Sequence, residues 1–479
     1  MRIAWALACL AVLTACSSAQ PPTSAPVADP ARELSGKVTA DGMYLHLQKL
    51  ADIAAANGNS RADGTPGFDA SVDYVAQTLR DKGFDVQTPE FDRLAMSSPG
   101  RPTLVAAGRT LPVDQASLLV TTAAGGLSAV TLRPQRPSGC SAGDYGSVDV
   151  RGAIVIVDDK GCSVVDKQNA AVGRGAVGVL VVSDPGASGS PAGLFTPGYY
   201  RQLTTPVAVI DGEADAQLRR TSAPVRLTLN AKGSIVKSRS VVAQTTTGDP
   251  HDVIVAGAHL DSATSSPGLN DNGSGVAAVL ETAVQLGGSP PVKNAVRFAF
   301  WGAQDTGLQG SSTYVANLDR GALDDIAMYL DFDLLGSTNA GYFTLDGDQS
   351  GQPNPAVPGD RVPAGSAGVE RTLAGYLNLA GVRPADQPLG LASDYSAFLR
   401  AGIPIGGITT GSSQRKTATQ ARLWGGRAGV AFDPNYQSPG DTITNVDRTT
   451  LSMTGPAVAF AVGTYAHSTE GPNGVPARG

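Results

Sequence analysis

The residues able to do chemistry gather at the ends of predicted strands. His259 and Asp261 close the run DVIVAGAHLD, Gln304 and Asp305 follow AVRFAFWGA, and Asp331 and Asp333 interrupt IAMYLDFDLLG. Imidazole and carboxylate together suit a divalent zinc ion in a catalytic site that keeps coordination positions open for water. The whole chain has only four histidines, His46, His251, His259 and His467, so the imidazole supply limits any metal centre from the start. His46 falls in a helical stretch, where packing or surface exposure is expected; His251 precedes a strand and His467 follows the last predicted helix. Asp331 and Asp333 share one strand face, because side chains two apart point the same way, and spacing alone leaves either as a ligand.

Beyond Ser234 nearly continuous apolar strands alternate with helices expected near 275–286 and 310–317. That pattern predicts an α/β sheet covered on both faces, with its site at the carboxyl ends of the strands. Upstream, Met43, Leu47, Leu50, Ile53 and Ala54 repeat at helical spacing. A second helix is expected over about 68–82, stopped by Lys82-Gly83. Between about 101 and 229 the texture changes to short β-branched runs broken by Gly and Pro, which predicts a small β-rich module. The net charge of −6 over 479 residues supplies no phosphate-neutralising surface, so nucleic acid is not an expected partner.

The N-terminal MRIAWALACLAVLTAC has one positive charge at Arg2, an apolar run and then small residues, the layout of an export signal. Residues 17–35 are small and Pro-rich and read as a flexible tether. Cys140 and Cys162 remain as an even pair in an exported chain, which predicts a disulfide.

Several of these segments resemble known families. Leu13-Thr14-Ala15-Cys16 resembles the bacterial lipoprotein box; this implies a lipidated Cys16 and anchoring on the outer face of the cell membrane. GCSAGDYGSVDVRGAIVIVDDKGCSVVD resembles the protease-associated domain, a lid-like insert, in which Cys140 and Cys162 would tie a loop to a strand end. GAHLDSATSSPGLNDNGSG, FAFWGAQDTGLQGS, LDFDLLGS, SDYSAFLRAGIPIGGITTG and WGGRAGVAFDPNYQSPGDTITNVD resemble, in order, the motifs of bacterial co-catalytic zinc aminopeptidases. The implied organisation is a signal peptide over 1–15, a lipidated tether over 16–35, a zinc-peptidase domain over 36–100 and 230–470, and the insert over 101–229.

The resemblance implies a metal site at His259, Asp271 and Asp333, with Asp261 accepting the imidazole N–H. It favours Asp333 over Asp331, through Asp333-Leu334-Leu335-Gly336-Ser337. Asp271 would bridge to a second zinc, where the family's Glu and His are replaced by Asp305 and Gln437. The family's general base is Glu, and here that place holds Gln304, whose amide has no useful acid or base state near neutral pH. Tyr436 stands where the family stabilises the oxyanion, and Ala392 stands where many members carry Arg. Two zincs belong to the family; the residues here favour one. Two readings follow. The first is a cell-surface aminopeptidase acting on peptides or protein N-termini, with Asp305 or a nearby carboxylate as base. The second, towards which Gln304, Gln437 and Ala392 weigh, is an inactive peptide-binding or scaffolding relative.

Overall fold

The computed structural model describes residues 29–183, 194–196 and 198–476. The expected signal segment and Cys16 lie outside them. Among the described residues no helix is long and apolar enough to cross a membrane.

The centre is an eight-stranded mixed sheet. Its strands are β1 (Asp85–Gln87), β2 (Val241–Gln244), β3 (Asp249–His259), β4 (Asn294–Trp301), β5 (Ile326–Asp333), β6 (Phe343–Leu345), β7 (Ala385–Gln387) and β8 (Ile405–Thr409). They lie in the order β1-β2-β4-β3-β5-β8-β6-β7. The inner four, β4-β3-β5-β8, are parallel, and their register sets His259 opposite Trp301, Asp331 opposite Gly407 and Asp333 opposite Thr409. Parallel strands need apolar residues on both faces, and β3 has them: Val253, Ile254, Val255 and Ala256 are wholly buried.

Helices cover both faces. α1 (Pro30–Lys37), α2 (Ala40–Ala56), α3 (Pro66–Asp81), α4 (Gly273–Leu286), α5 (Gln309–Asn317), α6 (Gly365–Leu379), α7 (Tyr395–Arg400) and α8 (Arg448–His467) bear on the site. One core joins Leu47, Val72, Leu280, Leu373 and Val458 to Ile254 and Phe332. The opposite core joins Val315 and Phe398 to Val253, Trp301 and Tyr329. Gly257 makes this second core possible, because a Cβ there would lie 2.5 Å from the Tyr329 hydroxyl.

The tether was expected to reach residue 35, but the structure begins its packed part earlier. Asp29 accepts from the Arg32 N–H and caps α1, whose Ala31 and Leu34 are buried. α1 lies against α8, where a Cβ on Gly463 would come within 2.8 Å of Ala31 Cα. Two apolar residues at i and i+3 were too short a pattern to read as a helix.

A two-stranded ribbon, Glu90–Ser98 with Lys232–Arg239, leads out of the large sheet. Beyond it lie a four-stranded sheet, with strands at 103–106, 109–111, 127–129 and 225–228, and a five-stranded sheet centred on Ile154–Asp158, Gly178–Val182 and Val207–Ile210. Cys140 and Cys162 are joined, 22 residues apart in sequence.

Candidate metal centre

His259 ends β3, Asp333 ends β5, and Asp271 sits in the loop before α4. Their ligand atoms converge: His259 Nε2 lies 3.3 Å from Asp271 Oδ1 and 3.5 Å from Asp333 Oδ1. Four buried polar atoms here have no hydrogen-bond partner, namely His259 Nε2, Asp271 Oδ2, Asp305 Oδ2 and Asp333 Oδ1. Native interiors rarely leave such atoms unsatisfied. One imidazole lone pair facing carboxylate oxygens is the donor set of a divalent cation, so the residues fit a metal.

The electrostatics agree. Burial opposes a charge on His259, yet Asp271 and Asp333 outweigh it and hold the imidazole well above its usual pKa. Burial pushes Asp271 up to about 7; His259 opposes the rise and Asp333 adds to it. A bound cation would remove this crowding of negative charge.

Asp261 acts differently from the expectation. The group 3.1 Å from His259 Nδ1 is the Asp261 backbone carbonyl, while the carboxylate stands 3.8 Å away. That carboxylate, wholly buried, accepts instead from the backbone N–H groups of Gln304 at 3.1 Å and Asp305 at 3.2 Å. Those amides would otherwise be orphaned, which costs more than the second-choice partner for the ring. The ring is still oriented, through an N–H to a carbonyl.

Asp305 and Gln437 do meet, as a hydrogen-bonded pair: the Gln437 amide donates to Asp305 Oδ1 at 2.7 Å. Burial raises the Asp305 carboxyl. The Gln304 side chain makes no hydrogen bond to the described residues. Tyr436 is half-buried; burial first, then Asp271, Asp333 and Asp305, raises its phenol, which therefore stays a donor. Gln304, Tyr436, Asp271, Asp331 and Asp333 line one cavity of about 450 Å³, floored by Leu345 and Ile408.

Asp331 is not at the metal cluster. It accepts from the Tyr329 hydroxyl at 2.9 Å and from Ser393 Oγ at 2.5 Å. Asp394 is buried and accepts from Ser311 Oγ, so it ties the start of α7 to α5. Ala392, beside Ser393, lines the cavity without a charge. Trp301 and Trp424 are packing residues that donate to Tyr329 and to the Arg383 carbonyl.

Several residues position the site, and of these Arg61, Asp433 and Asp441 were not visible in sequence. Arg61, fully buried in the turn before α3, donates to the backbone carbonyls of Leu260, Pro267 and Gly268 at 2.7, 2.9 and 2.5 Å. Asp441 accepts from the backbone N–H groups of Asn270 and Asp271 at 2.7 and 3.0 Å, and Asp433 takes the Asn270 side chain. Asn272 caps α4 at Gly275 and also accepts from Leu334 N–H. Glu281 is buried on α4 and bonded to His46 of α2 at 3.0 Å. Helix-on-helix packing brings the two together. His251 pairs with Asp325 on the surface and His467 bonds the Gly463 carbonyl, so neither reaches the site.

A covered mixed sheet with imidazole and carboxylates at its strand ends is the frame of a metal-dependent exopeptidase. Residues 240–462 match the sequence profile of Peptidase family M28, and residues 124–218 match that of the PA domain. The chain is 48% identical to "Probable lipoprotein aminopeptidase LpqL" of Mycobacterium tuberculosis, covering 92% of this chain and 88% of that one. It is 36% identical to an "Aminopeptidase" of Pseudomonas aeruginosa, over 90% and 82% of the two chains. In fold it is similar to the aminopeptidase from Aneurinibacillus sp. strain AM-1, with a TM-score of 0.62 at 22% identity over 94% of this chain and 98% of that one. The zinc aminopeptidase of Bacillus subtilis follows at 0.52 and 23%, over 91% and 98%. The chain belongs to Peptidase family M28 and contains a PA domain.

Proposed function

We propose that this protein is an exported, lipid-anchored zinc aminopeptidase that acts on peptide N-termini, with hydrolysis slowed by its own substitutions. The observation that carries the reading is the convergence of buried, unpartnered His259 Nε2, Asp271 Oδ2 and Asp333 Oδ1, with Asp271 and Asp333 in the cavity wall. Zinc held there would supply Lewis-acid polarisation of the scissile carbonyl. Tyr436 donates its phenolic proton to the oxygen on which negative charge develops. Gln304 can orient a reactant by hydrogen bonding but cannot move a proton, so Asp305 Oδ2 is the remaining acceptor beside it. Export and lipidation rest on the residues up to Cys16 and on a relative named a lipoprotein. The same reading takes 16–29 as the tether, 101–229 as the insert, and the rest from the first helix onward as the peptidase domain.

A second reading, peptide binding without cleavage, is favoured by the Gln437–Asp305 hydrogen bond, which uses a carboxylate oxygen that a second metal would need. Zinc analysis and leucine-anilide hydrolysis separate the two. The expected result is one zinc per chain and slow, chelator-sensitive turnover. In the Gln304→Glu, Gln437→His double variant it should rise by about 10²-fold or more, the usual contribution of a placed proton-transfer group. Zinc without any turnover in the unmodified protein would leave only the binding reading.

A further inference from the structure

A second cavity, of about 700 Å³, lies between the insert and the peptidase body. The insert contributes Phe195 and Tyr199, whose ring centroids are 4.9 Å apart, and the body contributes Leu308, Val315 and Ala397. The two cavities adjoin: Gln304 and Ala392 line the metal-side one, while Thr306 and Leu391 line this one. Consecutive Cα atoms are about 3.8 Å apart, so at 391–392 a single peptide unit parts them. Their charges are opposite. Asp271, Asp331 and Asp333 line the metal-side cavity and no Lys or Arg does. The second is lined by no carboxylate, and its one cation is Arg400 at the end of α7. Arg400 keeps contact with solvent; partial burial lowers its guanidinium pKa, with no carboxylate among the described residues opposing the fall. A guanidinium is a planar fork matched to a carboxylate, and this one is presented unpaired to an otherwise apolar and aromatic space.

We infer that this second cavity receives the part of the peptide beyond the cleaved bond and that Arg400 binds a carboxylate there, the free C-terminus of a short peptide; the assignment rests on the aminopeptidase reading. Tyr395, which lines the metal-side cavity, begins the helix that Arg400 ends. Five residues at about 1.5 Å each set their Cα atoms about 7.5 Å apart along the axis. An extended peptide covers that length in about two residues. The substrate class is then a tri- or tetrapeptide with a free carboxyl end, its later residues beside Phe195 and Tyr199. Arg400 is a specificity contact and takes no part in hydrolysis itself.

Calorimetry on the zinc-loaded full chain tests this with Leu-Gly-Gly whose first peptide bond is reduced to a methyleneamine and cannot be cleaved, offered as the free acid and as the C-terminal amide. The unmodified protein is expected to bind the acid about fivefold more tightly, the upper range for a solvent-accessible ion pair, and added salt should narrow the gap. Arg400→Gln should bring the two affinities together by weakening the acid alone, at unchanged leucine-anilide turnover and melting temperature. Arg400→Glu should reverse their order. The amide of the same analogue ending in Asp separates the two sources of carboxylate. Weak binding keeps the chain end as the ligand, and binding equal to that of the free acid gives Arg400 to a side chain and overturns the terminal assignment. No preference for the acid, or one that survives both variants, overturns the anchor, and leucine-anilide hydrolysis in the same preparation leaves the aminopeptidase reading standing. A preference lost with Arg400 in a chain that hydrolyses no anilide would sink the aminopeptidase reading and keep the carboxylate contact.

Discussion

On the proposed reading Gln304 and Gln437 stand in for a Glu and a His of similar size, and neither amide titrates near neutral pH. Their effect would then fall on proton movement and metal affinity rather than on packing. Glu370 on α6 shows what titration does elsewhere in the same domain. It is 6% exposed; burial pushes its carboxyl up to about 7, and Asp348, Asp346 and Asp386 add to the rise against the Asp348 N–H it accepts. The unfolded chain releases this proton near the ordinary value of 4.5. Between about pH 4.5 and 7 the folded protein therefore holds a proton the unfolded chain has lost, and stability falls as pH rises through that window. Glu370→Gln should flatten the fall in melting temperature between pH 5 and 7.5. Asp346, raised by the same burial, leaves a residual slope. An unchanged pH profile in the variant would show that Glu370 ionises freely. At this scale the sequence was informative where a polar residue interrupted an apolar strand, as His259 and Asp333 do. Spacing alone could not separate Asp331 from Asp333, because a shared strand face hides the Tyr329 and Ser393 hydroxyls that hold one of them; only the motif after Asp333 favoured it.

Among the elements, the strands announced themselves and the loops that aim them did not. β3, β4 and β5 are apolar on both faces and end in chemistry, so their place in a parallel sheet could be read directly. Helices α2 and α3 followed from apolar spacing, whereas α1 was missed because two buried apolar residues, Ala31 and Leu34, make no period. The loop over 260–271 is a different case, since its conformation is dictated by Arg61, about 200 residues earlier in the chain. The partners of Arg61 are three backbone carbonyls, which leave no trace in residue types. A guanidinium fork can serve three carbonyls at once, and a lysine ammonium cannot match that planar geometry. Arg61→Met should therefore orphan several buried groups, at about 1–3 kcal/mol each before relaxation. We expect a melting temperature lower by several degrees and weaker zinc binding, although Arg61 touches none of the three ligands. Arg61→Lys should recover only part of either. Normal zinc affinity in Arg61→Met would show that Asp441, through the Asn270 and Asp271 amides, suffices to hold the loop.

The molecule as a whole contains two bodies of core that meet through a ribbon. Leu104, Ile156, Leu180 and Leu227 belong to one interior of the small sheets, and Val155, Val179 and Val207 to a second. Neither is continuous with the two cores flanking the large sheet. The disulfide lies in the first body and the candidate metal site in the second, so each is a private handle on one unfolding event. Cross-linking residues 22 apart stabilises by about 3 kcal/mol through the unfolded chain. A ligand at 100 times its dissociation constant contributes about 2.7 kcal/mol to whichever unit binds it. Calorimetric unfolding should thus resolve two transitions. Reducing the disulfide, or the Cys140→Ser, Cys162→Ser variant, should lower one by several degrees and leave zinc content unchanged. Chelation should lower the other and leave the first in place. A single transition displaced by both treatments would mean that the insert and the peptidase body unfold as one unit. The contacts of Arg201 and Tyr200 with Asp92 on the ribbon would then be the first candidates for what couples them.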